Sequence, residues 1–130
     1  MKMIVAYLPV EQRERIVDAL AAGHVHGLSI SDSKGFGQEH DASHPDYKSY
    51  FGVEWTPKAR LEVVCQDDEV DHILNVFYEA AHRGQKGDGK IFILPVEDAL
   101  RIKTGERGKS AIGKRFSGPS AHPGSERKPD

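Results

Sequence analysis

The chain alternates between short apolar runs and amphipathic stretches. Met3 to Leu8 is a brief apolar run of strand length. From Glu11 to Ala22, Ile16, Val17 and Leu20 share one helical face, and Gly23 supplies a helix stop. Leu28 and Ile30 alternate with Ser29 and Ser31, the period of a half-buried strand. Between Gly35 and Pro57 no period holds. This polar and aromatic stretch is long for a plain connection, and such loops are usually functional. Ala59 to Cys65 predicts another strand. Glu69 to His82 places Val70, Ile73, Leu74, Phe77 and Ala81 on one face, which predicts a strongly amphipathic helix. Asp67 and Asp68 precede it, where carboxylates favour a helix start. A Gly/Lys turn from Arg83 to Gly89 leads to a last strand over Ile91 to Leu94.

The order is βαββαβ with two similar halves. That predicts an α+β, ferredoxin-like domain over residues 1–112, an antiparallel sheet with both helices on one face. The other face also carries apolar residues and has no helix left to cover it, so self-association is expected. Residues 113–130 are rich in Gly, Pro and Ser and predict a disordered tail.

Composition narrows the class. The 130 residues suffice for one modest core, and a net charge of -2 argues against binding nucleic acid by bulk electrostatics. The single cysteine, Cys65, closes an apolar run and reads as a buried small residue. One cysteine forms no internal disulfide, which fits a reducing, cytoplasmic setting. No apolar run approaches the ~18 residues of a membrane span, and the N-terminus opens directly on a strand pattern without a signal peptide.

Chemistry concentrates in the glycine-rich segments. Gly84-Gln85-Lys86-Gly87-Asp88-Gly89-Lys90 combines glycines, which let backbone N–H groups converge on an anion, with two lysines. It follows a helix and precedes a strand, so it is no Walker loop, and an ordinary turn would look much the same. Arg101 and Lys103 alternate, so on an extended segment both heads would point to one side. Gly35-Phe36-Gly37 gives flexible backbone at the mouth of the long loop. His40, Asp41, His44 and Asp46 lie within that loop, but Ser43 and Pro45 oppose the helix that a His-x3-His metal site needs. Tyr47, Tyr50, Phe51 and Trp55 are candidates for partner contact. No nucleophile–base set is present, so no catalytic residues are assigned and an enzyme is not expected.

Taken together, Lys34-Gly35-Phe36-Gly37, Pro57-Lys58 and the run from Gly87 through Thr104-Gly105-Glu106-Arg107-Gly108 resemble the PII signal-transduction family. The resemblance covers residues 1–112. It implies a cytoplasmic homotrimer binding ATP or ADP in clefts between subunits and signalling to a transporter, enzyme or other regulator. The family's T-loop would be residues 37–57, its B-loop 83–90 and its C-loop 102–112. Gly87, Asp88, Gly89, Lys90, Arg101 and Lys103 would serve the phosphates, and Ser29, Glu62 and Val64 the adenine. Gly35, Phe36, Gly37 and Gln38 would line the cleft where the loop departs, with Lys58 at its base near the family's second ligand.

The sequence departs from the family pattern at informative positions. Glu39 stands where the family has the glutamine that helps hold magnesium and 2-oxoglutarate, and a carboxylate there would repel that dicarboxylate. Phe51 replaces the tyrosine uridylylated in enteric members, so that modification is excluded at this position. Lys103 keeps the charge of the usual arginine but lacks its fork. With fewer phosphate donors, ADP or AMP is expected over ATP. Gly37, Gln38 and Lys58 could hold a small anion such as bicarbonate, as in the family's carboxysome-associated, inorganic-carbon branch. The alternative is a standard nitrogen regulator sensing ATP, ADP and 2-oxoglutarate.

Overall fold

In a computed structural model, the described residues are 1–36, 48–50 and 53–114. Five strands are present: β1 Lys2–Pro9, β2 Ser29–Gly35, β3 Lys48–Tyr50, β4 Val53–Cys65 and β5 Lys90–Pro95. The helices are α1 Arg13–Ala22, α2 Val70–Ala81 and a final turn, α3 Lys109–Ile112. The sheet order is β2-β4-β1-β5, all antiparallel, with β3 pairing on β4. This is the expected α+β, ferredoxin-like arrangement.

The pleat sorts side chains by residue parity. Ile4, Ala6 and Leu8 of β1 and Ala59, Leu61, Val63 and Cys65 of β4 point to one face. They bury against Ile16 and Leu20 of α1 and Ile73 and Phe77 of α2. The predicted helical faces are therefore the ones used. Burying one such side chain contributes roughly 1.5–3 kcal/mol. Both α1 and α2 pack on that face, and β5 at the sheet edge leaves Phe92, Ile93 and Leu94 exposed.

Two local readings need correction. First, the irregular stretch expected between Gly35 and Pro57 is partly sheet. β4 begins at Val53, and the β2–β4 ladder extends to Gly35 opposite Thr56. Pro57, which donates no ladder bond, sits beyond the end of the β1–β4 ladder at Lys58, where only β2 flanks the strand. Second, Asp67 and Asp68 do not cap α2. They lie in a 3-10 turn, where Asp67 accepts a 2.8 Å bond from the Met1 ammonium and Asp68 pairs with Lys114 at 3.3 Å. A full positive charge outcompetes the partial charge of a helix start.

Gly23 ends α1 as expected, though with an ordinary φ of -81°, while His24 takes the left-handed conformation at φ 62°. Gly23 is required for space instead: a Cβ there would lie 2.9 Å from Val76 Cγ2 on α2. The His72 ring nitrogen Nε2 lies 2.9 Å from the Gly23 carbonyl oxygen, within hydrogen-bonding distance and fastening the two helices at the same point.

Candidate phosphate loop and ligand cleft

The loop entering β5 is built around Asp88. Its carboxylate accepts the Arg83 N–H at 2.8 Å, the Gln85 N–H at 3.3 Å and the Arg83 guanidinium at 3.0 Å. The Arg83 amide, then the Gln85 amide and the Arg83 side chain, hold this carboxyl below its usual range. Asp88 thus organises the loop from within. Gly84, Gly87 and Gly89 all take positive φ. Gly89 is the most constrained: φ is +114°, and a Cβ would lie 2.3 Å from the Tyr7 carbonyl oxygen. The lysine that follows, Lys90, is exposed and pairs with Tyr7 across the β1–β5 ladder. An exposed cation beside a run of positive-φ glycines suits an anionic oxygen.

The segment after β5 is a second preformed unit. Asp98 accepts from the Ala99 N–H at 2.8 Å, the Gly108 N–H at 3.0 Å and the Arg107 guanidinium. These contacts, led by the Ala99 amide and then Arg107, also depress its pKa. Arg101 donates its N–H to the Glu106 carbonyl, and Gly105 donates back to the Arg101 carbonyl at 2.7 Å. Arg101 and Lys103 therefore do not ride on one extended segment, as their alternation suggested. A turn at residues 102–104 reverses the chain between Leu100 and its bridge partner Arg107. Gly105, at φ +77°, makes that reversal possible. The Arg101 guanidinium donates Nε–H to the Ala111 carbonyl at 3.1 Å, and Lys103 is exposed.

By strand parity Ser29, Gly35, Lys58, Glu62 and Val64 share the sheet face opposite to that of Ala59 and Leu61. Ser29 is opposite Glu62, and Val64 is opposite Met3. Gly35 is opposite Thr56, and Lys58 leans toward it, its Cγ 3.9 Å from where a Gly35 Cβ would stand. Phe36 is exposed and meets Trp55 edge to face at 4.9 Å. Gly37, Gln38, Glu39, His40, Asp41, His44, Asp46, Tyr47 and Phe51 lie outside the described residues, as does the side chain of Tyr50. Residues 115–130, most of the expected tail, do too. Among the described residues no His, Cys, Asp and Glu group could hold a metal.

One chain does not assemble all these parts. Ser29 is on β2 and Lys90 on β5, at opposite edges of the sheet. Three strand spacings, about 14 Å, separate those edges. Sequence reasoning also missed several residues on the same face. Arg60 Nε lies 3.1 Å from Glu62 Oε1, at ion-pair distance though not aligned as a hydrogen bond, and its guanidinium covers the Tyr7 ring at 5.7 Å. Thr56 is buried two residues from Lys58, with no hydrogen-bond partner for its hydroxyl among the described residues. The alternation of Lys58, Arg60 and Glu62 with Ala59, Leu61 and Val63 already marks this polar row.

Residues 1–106 match the family described as Nitrogen regulatory protein P-II. The chain is 36% identical to the Nitrogen regulatory protein P-II of Azospirillum brasilense over 112 residues, 86% of this chain and all of that one. It is 38% identical to its counterpart in Cereibacter sphaeroides with the same coverage. The Nitrogen regulatory protein P-II 1 of Methanothermobacter thermautotrophicus is 37% identical, covering 86% of this chain and 97% of the relative. With the fold and the spacing of its glycine-rich loops accounted for, the chain belongs to the P-II nitrogen regulatory protein family.

Proposed function

We propose that this protein is a nucleotide-responsive P-II regulator of nitrogen metabolism, acting by binding a target protein and not by catalysis. An adenine nucleotide sits between the Gly87–Lys90 loop of one subunit and the Ser29–Glu62 edge of a neighbouring copy in a homotrimer. The observation that carries this reading is the loop at Gly89, whose backbone leaves no room for a side chain and places Lys90 at its exit. The separation of Ser29 from Lys90 within one chain supports a site completed by a second copy. Occupancy reaches the target through residues 37–57, whose base carries Gly35, Phe36, Trp55 and Lys58.

The relatives are named nitrogen regulators, which supports nitrogen control over the inorganic-carbon expectation. A second reading, with a small anion in place of 2-oxoglutarate, is favoured by Glu39 in sequence and by the Thr56 hydroxyl on the Lys58 face, which has no hydrogen-bond partner among the described residues. Calorimetric titration with ATP, ADP and AMP tests both points, each with and without magnesium and 2-oxoglutarate, and with and without bicarbonate. Mutual tightening of magnesium-ATP and 2-oxoglutarate is the outcome expected of a nitrogen regulator. Bicarbonate tightening ADP or AMP, with 2-oxoglutarate inert, would replace it with carbon sensing. Absence of any nucleotide binding would overturn the proposal.

A further inference from the structure

We infer that Gln66 is a positioning residue for the phosphate-facing cation Arg101, acting through the C-terminal turn α3. The inference rests on the reading above that Arg101 meets nucleotide phosphate. Gln66 lies between β4 and the 3-10 turn before α2, far from Arg101 in sequence, and is almost fully buried. Its side-chain amide donates both hydrogens across the molecule, to the Lys109 carbonyl at 3.2 Å and the Gly113 carbonyl at 2.9 Å. Two carbonyl acceptors require the NH2 group on that side, so the amide orientation follows from its partners.

Those carbonyls bracket α3. The turn has only four residues and no side-chain cap, too short to persist by its own hydrogen bonds. It is held by Gln66 and by the buried side chain of Ile112. Between the two anchored carbonyls lies that of Ala111, which accepts the Arg101 Nε–H at 3.1 Å. This bond uses one donor of the guanidinium and leaves the terminal NH2 groups available for phosphate oxygens. Arg101 is exposed, so without the Ala111 carbonyl its long side chain would sample many rotamers. Gln66 thereby fixes the acceptor that orients the cation.

The test is a double-mutant cycle on the full chain, using Gln66→Leu, Arg101→Ala and the pair, with calorimetric affinities for ATP and adenosine. Gln66→Leu should weaken ATP about five- to tenfold, the scale of one ordinary hydrogen bond. It should leave adenosine binding unchanged, and Arg101→Ala should make it silent, because both act through one contact. A merely structural role would weaken both ligands and add to the Arg101 effect. Should Gln66→Leu fail to fold, Gln66→Glu is the second variant: it keeps the size but turns acceptor oxygens toward two carbonyls. If Arg101→Ala weakens ATP while the Gln66 variants do not, or the effects add, the inference is overturned and the nucleotide reading stands. If Arg101→Ala leaves ATP affinity intact, the assignment of Arg101 to phosphate falls and the inference with it.

Discussion

The carbonyl oxygen of Tyr7 occupies the space into which any side chain on Gly89 would project, 2.3 Å from a Cβ built there. A β1 backbone atom thus dictates the residue at the entrance to β5. Gly89→Ala combines this clash with a positive φ, and should destabilise the fold by about 2–4 kcal/mol. Gly84→Ala also has positive φ but meets nothing within 4 Å. It should cost only about 1 kcal/mol. Chemical denaturation of the two variants compares them directly. Equal losses would show that the Tyr7 contact is not what constrains the loop.

The α1–α2 junction gives a second contrast. Gly23→Ala drives a methyl against Val76 and should cost about 1–3 kcal/mol by overpacking. His24→Gly relieves a left-handed residue, so it should be neutral or stabilising by up to about 1 kcal/mol. Thermal unfolding distinguishes them. A destabilising His24→Gly would mean that the imidazole makes a contribution beyond its backbone conformation.

Acid should loosen the two preformed loops. Asp88 and Asp98 both have folded pKa values below the ordinary 3.8. The unfolded chain therefore holds more protons in the intervening window, and stability rises with pH there. Their contribution is complete above the unfolded value and is lost as pH falls through the folded one. Amide exchange at Arg83, Gln85 and Gly108 should accelerate, relative to its intrinsic pH dependence, as pH drops below about 4. Asp88→Asn should flatten that response at Arg83 and Gln85 only. An unchanged profile would show that the carboxylate does not hold the loop.

Trp55 is the chain's single tryptophan, and it packs edge to face on Phe36. Its emission should therefore report on the base of the signalling segment. Phe36→Leu removes a ring from one side of the indole and should shift emission to longer wavelength. Nucleotide that reorganises Gly35 and Phe36 should move the wild-type spectrum. A spectrum identical with and without saturating nucleotide would place the response elsewhere.

The features legible in sequence were those governed by local period. The faces of α1 and α2 and the alternation around Leu61 reflect burial on one side, and their residues carry that period openly. Pro57 and the mixed Glu54-Trp55-Thr56 sequence hid the first part of β4, whose pairing with β2 is long-range. Gly23 was legible as a boundary but not for its reason, which is a side chain on another helix. Arg101 and Lys103 alternate in sequence, yet Gly105 and the Glu106 carbonyl bend the chain between them. Gln66 gave no local signal, since its partners lie more than forty residues away. Glycine spacing marked the candidate phosphate loop, but the inward turn of Asp88 required the Arg83 and Gln85 amides to be seen.

The free margin of β5 has a consequence for the life of a single subunit. Phe92, Ile93 and Leu94 are exposed along a strand whose outer backbone groups meet no neighbour among the described residues. A newly made chain therefore offers a template to which a foreign strand can add, and strong β-formers on that template promote aggregation. Rapid capture of this margin by another copy would act as quality control, so dilute or unbalanced synthesis should raise the burden on chaperones.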